Sequence, residues 1–236
     1  MSLAFGAAIR EKPAGPERVM TSFAASRRNM VDNQLRTFDV SDRAVLAAMA
    51  EVPRERFVPD ADKALAYLDR NLVLGSDGAD MRVLLAPMTF ARLIQALDIQ
   101  DGERVLDVGG GYGYGAAVLE AMGAKVTLLE SRADLAEGAK ERLGSDVAIV
   151  TGPLEDGAAD RGPFGKILVN GTLQMRPDAL LAQLAENGLL ACLVDENGTG
   201  RAVLFVKSAA GIGQRTLLDA SAPTLAAFRP EPAFTF

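Results

Sequence analysis

The chain has 236 residues, 49% hydrophobic and 24% charged, which suits one full α/β core with a small extension. Its net charge of −6 means that a groove for a nucleic acid backbone would have to be built against the overall field, so nucleic acid is not an expected partner. One Cys and no His exclude disulfide frameworks, zinc clusters and His-dependent triads; no metal site is expected, and the setting predicted is reducing and cytoplasmic.

Residues 1–19 read as a flexible lead ahead of a natural start at Met20. The stretch is apolar to Ile9, then charged from Arg10 to Arg18, without the basic region or cleavage site of a secretory leader. No apolar run reaches the length of a membrane span, so no membrane partner is expected. Residues 20–100 form an N-terminal helical region that lids a cofactor-binding domain at 101–236. Helical spacing covers 23–35 and 41–50, the second opened by Ser41 as N-cap and closed by Val52-Pro53. A short helix at 61–67, an irregular segment at 69–80 and a helix from Pro87 to Leu97 follow.

From there strand and helix alternate, which implies a parallel sheet with covered faces. Strands are predicted at 104–108, 125–129, 147–150, 166–170, 188–194, 201–207 and 214–220, with helices at 113–122, 133–143 and 177–186. The turn Asp195-Glu-Asn-Gly-Thr-Gly200 requires a hairpin, so the sheet should end in an antiparallel pair. Cys192 falls mid-strand and reads as a small buried apolar residue.

The stretch Val105-Leu-Asp-Val-Gly-Gly-Gly-Tyr-Gly-Tyr-Gly115 is an apolar run that ends in an acid and turns through glycine into a helix. Such a turn lets the backbone approach a nucleotide-like ligand without a Cβ in the way. Counted from Gly109, the third position of a Gly-x-Gly-x-x-Gly dinucleotide motif is Tyr114, and the Gly-Lys-Ser/Thr ending of a phosphate loop is missing. Pyrophosphate binding is therefore disfavoured. A second strand ends in Glu130, about twenty residues on, where a carboxylate can accept both ribose hydroxyls.

The loop resembles that of class I S-adenosylmethionine (SAM) methyltransferases, which carry a strand-end acid before Gly-x-Gly-x-Gly. The resemblance implies a Rossmann-like, seven-stranded, mostly parallel sheet with SAM as cofactor and S-adenosylhomocysteine as product. In that family the acid at Asp107 sits near the amino-acid end of SAM. The implied cofactor set is Asp107, Gly109, Gly110, Gly111, Tyr112, Gly113, Glu130, Ser131, Leu154 and Asn170.

A more specific likeness runs through Met30-Val-Asp-Asn-Gln34-Leu35, Val52-Pro-Arg-Glu-Arg-Phe-Val-Pro59 and Ala66-Tyr-Leu-Asp69, and resumes at 105–118, at Pro163-Phe164 and at 177–184. These strings resemble the protein-L-isoaspartate O-methyltransferases. The resemblance implies transfer of the SAM methyl to the free carboxylate of an isoaspartyl residue in a protein or peptide, a repair reaction. A carboxylate is already ionised at neutral pH, so a chain without His lacks nothing that the reaction needs.

Three departures stand out. Where the family's acceptor loop reads Gly-Gln-Thr-Ile-Ser-Gln-Pro, this chain has Met81-Arg-Val-Leu-Leu-Ala86 before Pro87, with Leu85 at the place of the Ser. A leucine cannot hydrogen-bond a carboxylate. At the adenine end, the family's Gly-Asp-Gly is Gly152-Pro153-Leu154, with Glu155 or Asp156 as substitutes for the acid, and its Phe-Asp is Phe164-Gly165. Arg82 is the one basic residue in the altered loop, and its planar fork suits an acceptor carboxylate; the alternative is that it pairs with Asp77 or Asp80. Isoaspartyl methyl transfer, methyl transfer to another acceptor and SAM binding without turnover all stay open at this point, as does the oligomeric state.

Overall fold

The computed structural model describes residues 16–230, apart from Ala79 and Asn197. Most of the lead at 1–19 lies outside them, but residues 16–19 belong to the first helix, so Met20 falls inside an element. That helix, α1 (Pro16–Met30), runs on through a π-turn at Val31–Leu35 and a 3-10 turn at Arg36–Phe38. Helix α2 (Arg43–Glu51) is capped by Asp42, not by Ser41. The Asp42 carboxylate accepts from the amides of Ala44 at 2.7 Å and Val45 at 3.3 Å, while the Ser41 amide donates to Gln95 Oε1 at 2.8 Å. The position predicted as helix at 61–67 is a 3-10 turn at Asp60–Leu65.

The segment expected to be irregular is in part a hairpin. Strands β1 (Leu72–Asp77) and β2 (Asp80–Leu84) pair antiparallel, with a register irregularity between Val73 and Gly75. Apolar residues flank the Asp77-Gly78 turn, a hairpin signal diluted by Gly75-Ser76 and Asp80. Helix α3 (Pro87–Leu97) begins on its proline, as predicted, and ends at Asp98 in the left-handed region.

The central sheet follows: β3 (Arg104–Val108), α4 (Tyr114–Ala121), β4 (Lys125–Glu130), α5 (Ala133–Arg142), β5 (Ala148–Thr151), β6 (Phe164–Leu173), α6 (Asp178–Ala182), β7 (Leu184–Glu196), β8 (Thr199–Ser208) and β9 (Gly211–Asp219). The strand order is β5-β4-β3-β6-β7-β8-β9. Strands β5 to β7 are mutually parallel, whereas β8 is antiparallel to both of its neighbours. Helix α6 is shorter than predicted because Leu184 already pairs with Phe164 of β6. Residues 185–188 then form an irregularity, with Asn187 left-handed, before Leu189 rejoins Lys166.

One apolar cluster lies on the face covered by the N-terminal helices and α4. The other gathers α6, Leu154, Leu225 and Phe228 around Cys192, which is fully buried. Among the described residues no helix is long and apolar enough to cross a membrane.

The chain steps outward from β3 to β4 and β5, then returns to the other side of β3 for β6 and β7. Loops leaving the carboxyl ends of β3 and β6 therefore diverge, and a crevice opens between them.

Candidate cofactor site

The loop after β3 has Gly109, Gly111 and Gly113 at positive φ, so the backbone folds back sharply before α4. At Gly111 the need for glycine is steric as well. A Cβ there would stand 2.5 Å from Leu74 Cδ1, at a φ of +57°. The loop and the end of β4 are tied together by Glu130, whose Oε2 accepts from the Gly111 amide at 3.0 Å and whose Oε1 accepts from the Arg132 amide at 3.0 Å. Asp107 and Glu130 are both fully buried.

Asp107 Oδ1 accepts from Asn170 Nδ2 at 2.6 Å, and the same amide group donates to the Val108 carbonyl at 3.1 Å. Oδ2 has no hydrogen-bond partner. Burial pushes the Asp107 carboxyl up to about 7, the Asn170 bond and the Ala116 amide pull it back, and the Glu130 charge adds to the rise. The sequence-predicted residues thus converge: Asp107 and Asn170 meet below the loop, and Glu130 meets it from the side. Leu154 lies across Gly109, its Cδ1 3.6 Å from where a Cβ would be. Tyr112 faces outward against Arg142, which stacks 4.4 Å from the ring centre.

Arg82 does not offer an open fork to an acceptor. Its Nε donates to Glu130 Oε1 at 3.1 Å, its Nη1 to Asp80 Oδ1 at 2.5 Å and its Nη2 to Ser131 Oγ at 2.7 Å, and the side chain is 1% exposed. Where an open fork for an acceptor carboxylate was expected, the guanidinium is folded back onto Glu130, Asp80 and Ser131. All three donor nitrogens are committed inside the protein, and the Asp80 pairing weighed in the sequence is present.

Sequence reasoning missed three residues that shape this region. Leu74 covers Gly111 from the hairpin, and Leu225, held by its amide to the Thr172 carbonyl at 3.0 Å, covers Gly109 and Gly171 from the C-terminal segment. Arg54, inside the Val-Pro-Arg string, is fully buried. It donates to the carbonyls of Ala66 at 2.7 Å and Leu85 at 2.5 Å and lies 4.8 Å from the Tyr114 ring centre. The turn at Leu85 that replaces the family's hydroxyls is thereby fixed, and the Leu85 side chain belongs to the core. Only the arginine carried a sequence signal, as a charge in an apolar string.

Residues 25–221 match the family model described as protein-L-isoaspartate(D-aspartate) O-methyltransferase. A protein-L-isoaspartate O-methyltransferase of Koribacter versatilis (strain Ellin345) is 38% identical over 204 residues, covering 85% of this chain and 90% of that protein. One of Gloeobacter violaceus (strain ATCC 29082 / PCC 7421) is 42% identical over 165 residues, covering 68% and 78%. A solved protein-L-isoaspartate O-methyltransferase superposes with a TM-score of 0.73 at 28% identity, covering 85% of this chain and 66% of that one. A putative enzyme of that name from Plasmodium falciparum, solved with S-adenosyl-L-homocysteine, superposes at 0.69 and 22% identity, a likeness of fold, covering 85% and 98%. With its class I methyltransferase sheet and its match across most of its length, the chain belongs to the protein-L-isoaspartate(D-aspartate) O-methyltransferase family.

Proposed function

We propose that this protein is a SAM-dependent O-methyltransferase whose acceptor is a carboxylate of a protein or peptide, with an isoaspartyl residue as the first candidate. The observation that carries this reading is the convergence of two buried strand-end acids, Asp107 and Glu130, on one glycine turn at the switch point of the sheet. The donor chemistry fits SAM. Asp107 Oδ2 lacks a partner and suits an ammonium group; Glu130 suits a ribose diol; the glycine loop admits close backbone approach. Asp107, Gly109 to Gly113, Glu130, Ser131, Leu154 and Asn170 are the residues that would hold it, and when bound it supplies a methyl group on a positively charged sulfur.

What the chain itself contributes is placement. Asn170 fixes the Asp107 carboxylate from below, so an ammonium entering there meets an oriented acceptor, and its charge draws the Asp107 proton off near neutral pH. No side chain is needed as a base, since the attacking carboxylate is already ionised. The setting assigned is the reducing cytoplasm, on the strength of a single, buried Cys192.

Leu85 favours a second acceptor class. Fully packed, with its carbonyl taken by Arg54, it offers no hydroxyl to an isoaspartyl carboxylate. Incubation with methyl-labelled SAM and an isoaspartyl peptide, beside its aspartyl counterpart, separates the readings. Base-labile label on the isoaspartyl peptide alone is the expected result. Label on neither peptide would remove the isoaspartyl assignment.

A further inference from the structure

Arg82 reaches Glu130 from a fixed mount. The β1–β2 hairpin that carries it packs into the main apolar cluster through Leu72, Leu74, Val83 and Leu84, all buried, so core packing holds the hairpin without help from an ion pair. What the arginine adds is local to the end of β4. Its side chain is 1% exposed, and Nη1 is taken by Asp80 Oδ1. Nε and Nη2 form one edge of the planar fork, and that edge holds Glu130 Oε1 and Ser131 Oγ side by side, at 3.1 Å and 2.7 Å. The Arg132 amide shares Oε1, and the Gly111 amide holds Oε2. The carboxylate plane is thus fixed at both oxygens, from the hairpin, from the glycine loop and from the turn after β4. The cation also meets an electrostatic need, because Glu130 is fully buried, as is Asp107, whose charge it opposes. A buried charge without a counter-charge is costly.

We propose that Arg82 is a positioning residue for the cofactor's ribose: it supplies the counter-charge for Glu130 and fixes the carboxylate in the orientation that meets the ribose hydroxyls. The inference rests on the proposed SAM site. Arg82 touches no cofactor atom in this role and acts through Glu130. An acceptor that is already oriented is not reorganised when the ribose arrives. A freed carboxylate, by contrast, binds only in the fraction of molecules in which its rotamer is right. The departure of this chain from the family's loop at Arg82 thereby acts on the cofactor and not on the acceptor.

Calorimetric titration with S-adenosylhomocysteine and with its 2′,3′-dideoxy analogue, which lacks both ribose hydroxyls, tests this in wild type, Arg82→Gln and Arg82→Lys. Wild type should prefer S-adenosylhomocysteine by about tenfold or more, the scale of a hydrogen bond to a charged group. Arg82→Gln should lose about tenfold or more toward S-adenosylhomocysteine and much less toward the analogue, so that the preference collapses. Arg82→Lys keeps the charge but not the planar edge; it should retain part of the preference, and it carries the test if Arg82→Gln fails to fold. An arginine with a merely structural role would weaken both ligands equally. A preference undiminished in the folded variants, whether both ligands weaken together or neither does, overturns the positioning role and leaves the SAM site standing. Equal binding of the two ligands by wild type removes the ribose assignment of Glu130, and absence of binding by wild type removes the SAM reading; the positioning role falls with either.

Discussion

Replacing Asp107 with Asn should change the pH dependence of stability more than stability itself. In the folded protein the Asp107 carboxyl titrates at about 7, against an ordinary 3.8, chiefly because it is fully buried, with the Glu130 charge adding to the effect. Between those values the native state holds a proton that the unfolded chain has released. The unfolding free energy therefore falls as pH rises through this window and levels off above about 7. At about 1.4 kcal/mol per pH unit the whole gap is worth about 4 kcal/mol, of which about 3 kcal/mol falls between pH 5 and pH 8. Asn cannot titrate. Its Oδ1 can still accept from Asn170, and its Nδ2 takes the place of the unpartnered Oδ2, a buried donor that costs about 1–2 kcal/mol at every pH. Urea unfolding of both proteins at matched pH isolates the effect, because the other titrating groups cancel in the difference. The difference curve should move in favour of the variant by about 3 kcal/mol from pH 5 to pH 8. A constant difference across that range would show that Asp107 is ionised in the fold and that its burial is offset by something other than Asn170 and Ala116.

Arg54→Ala should cost about 3–5 kcal/mol in urea unfolding, since it strips hydrogen bonds from the Ala66 and Leu85 carbonyls and leaves a hole beside Tyr114; a loss below about 1 kcal/mol would mean that these carbonyls find other partners. Gly113→Ala should destabilise by more than about 2 kcal/mol, because φ there is +93° and the new methyl would meet Leu143 Cδ1 at 2.6 Å. Gly144→Ala, which meets nothing within 4 Å, should stay within about 0.5 kcal/mol of wild type, and equal losses at the two sites would refute the steric argument. Asp42→Ala should remove about 1 kcal/mol of stability through the α2 cap while Ser41→Ala leaves it nearly unchanged; the opposite order in thermal melts would restore Ser41 as the cap.

The inner strands β3, β4 and β6 were legible because they are apolar runs buried on both faces, and the two acids because each lies at the end of such a run before a turn. Asp107 and Glu130 could be placed at one site on that basis alone. Arg82 could not. Asp80 was visible as a local partner, but Glu130 lies 48 residues away, and nothing local distinguishes a guanidinium aimed at an acceptor from one folded back onto Glu130. Leu74 and Leu225 were invisible for the same reason, since a leucine that covers a glycine loop reads like any core leucine. The choice between Ser41 and Asp42 as cap turned on Gln95, whose side chain takes the amides of both residues and sets the entry of α2. At α6 the helical pattern to 186 gave way to pairing of Leu184 with Phe164, a tertiary contact overriding local propensity.

A crystal structure with S-adenosylhomocysteine bound tests the placement of the cofactor most directly. The ribose hydroxyls should lie on Glu130 and the amino group near Asp107. A nucleoside bound elsewhere, with neither acid in contact with it, would contradict the site.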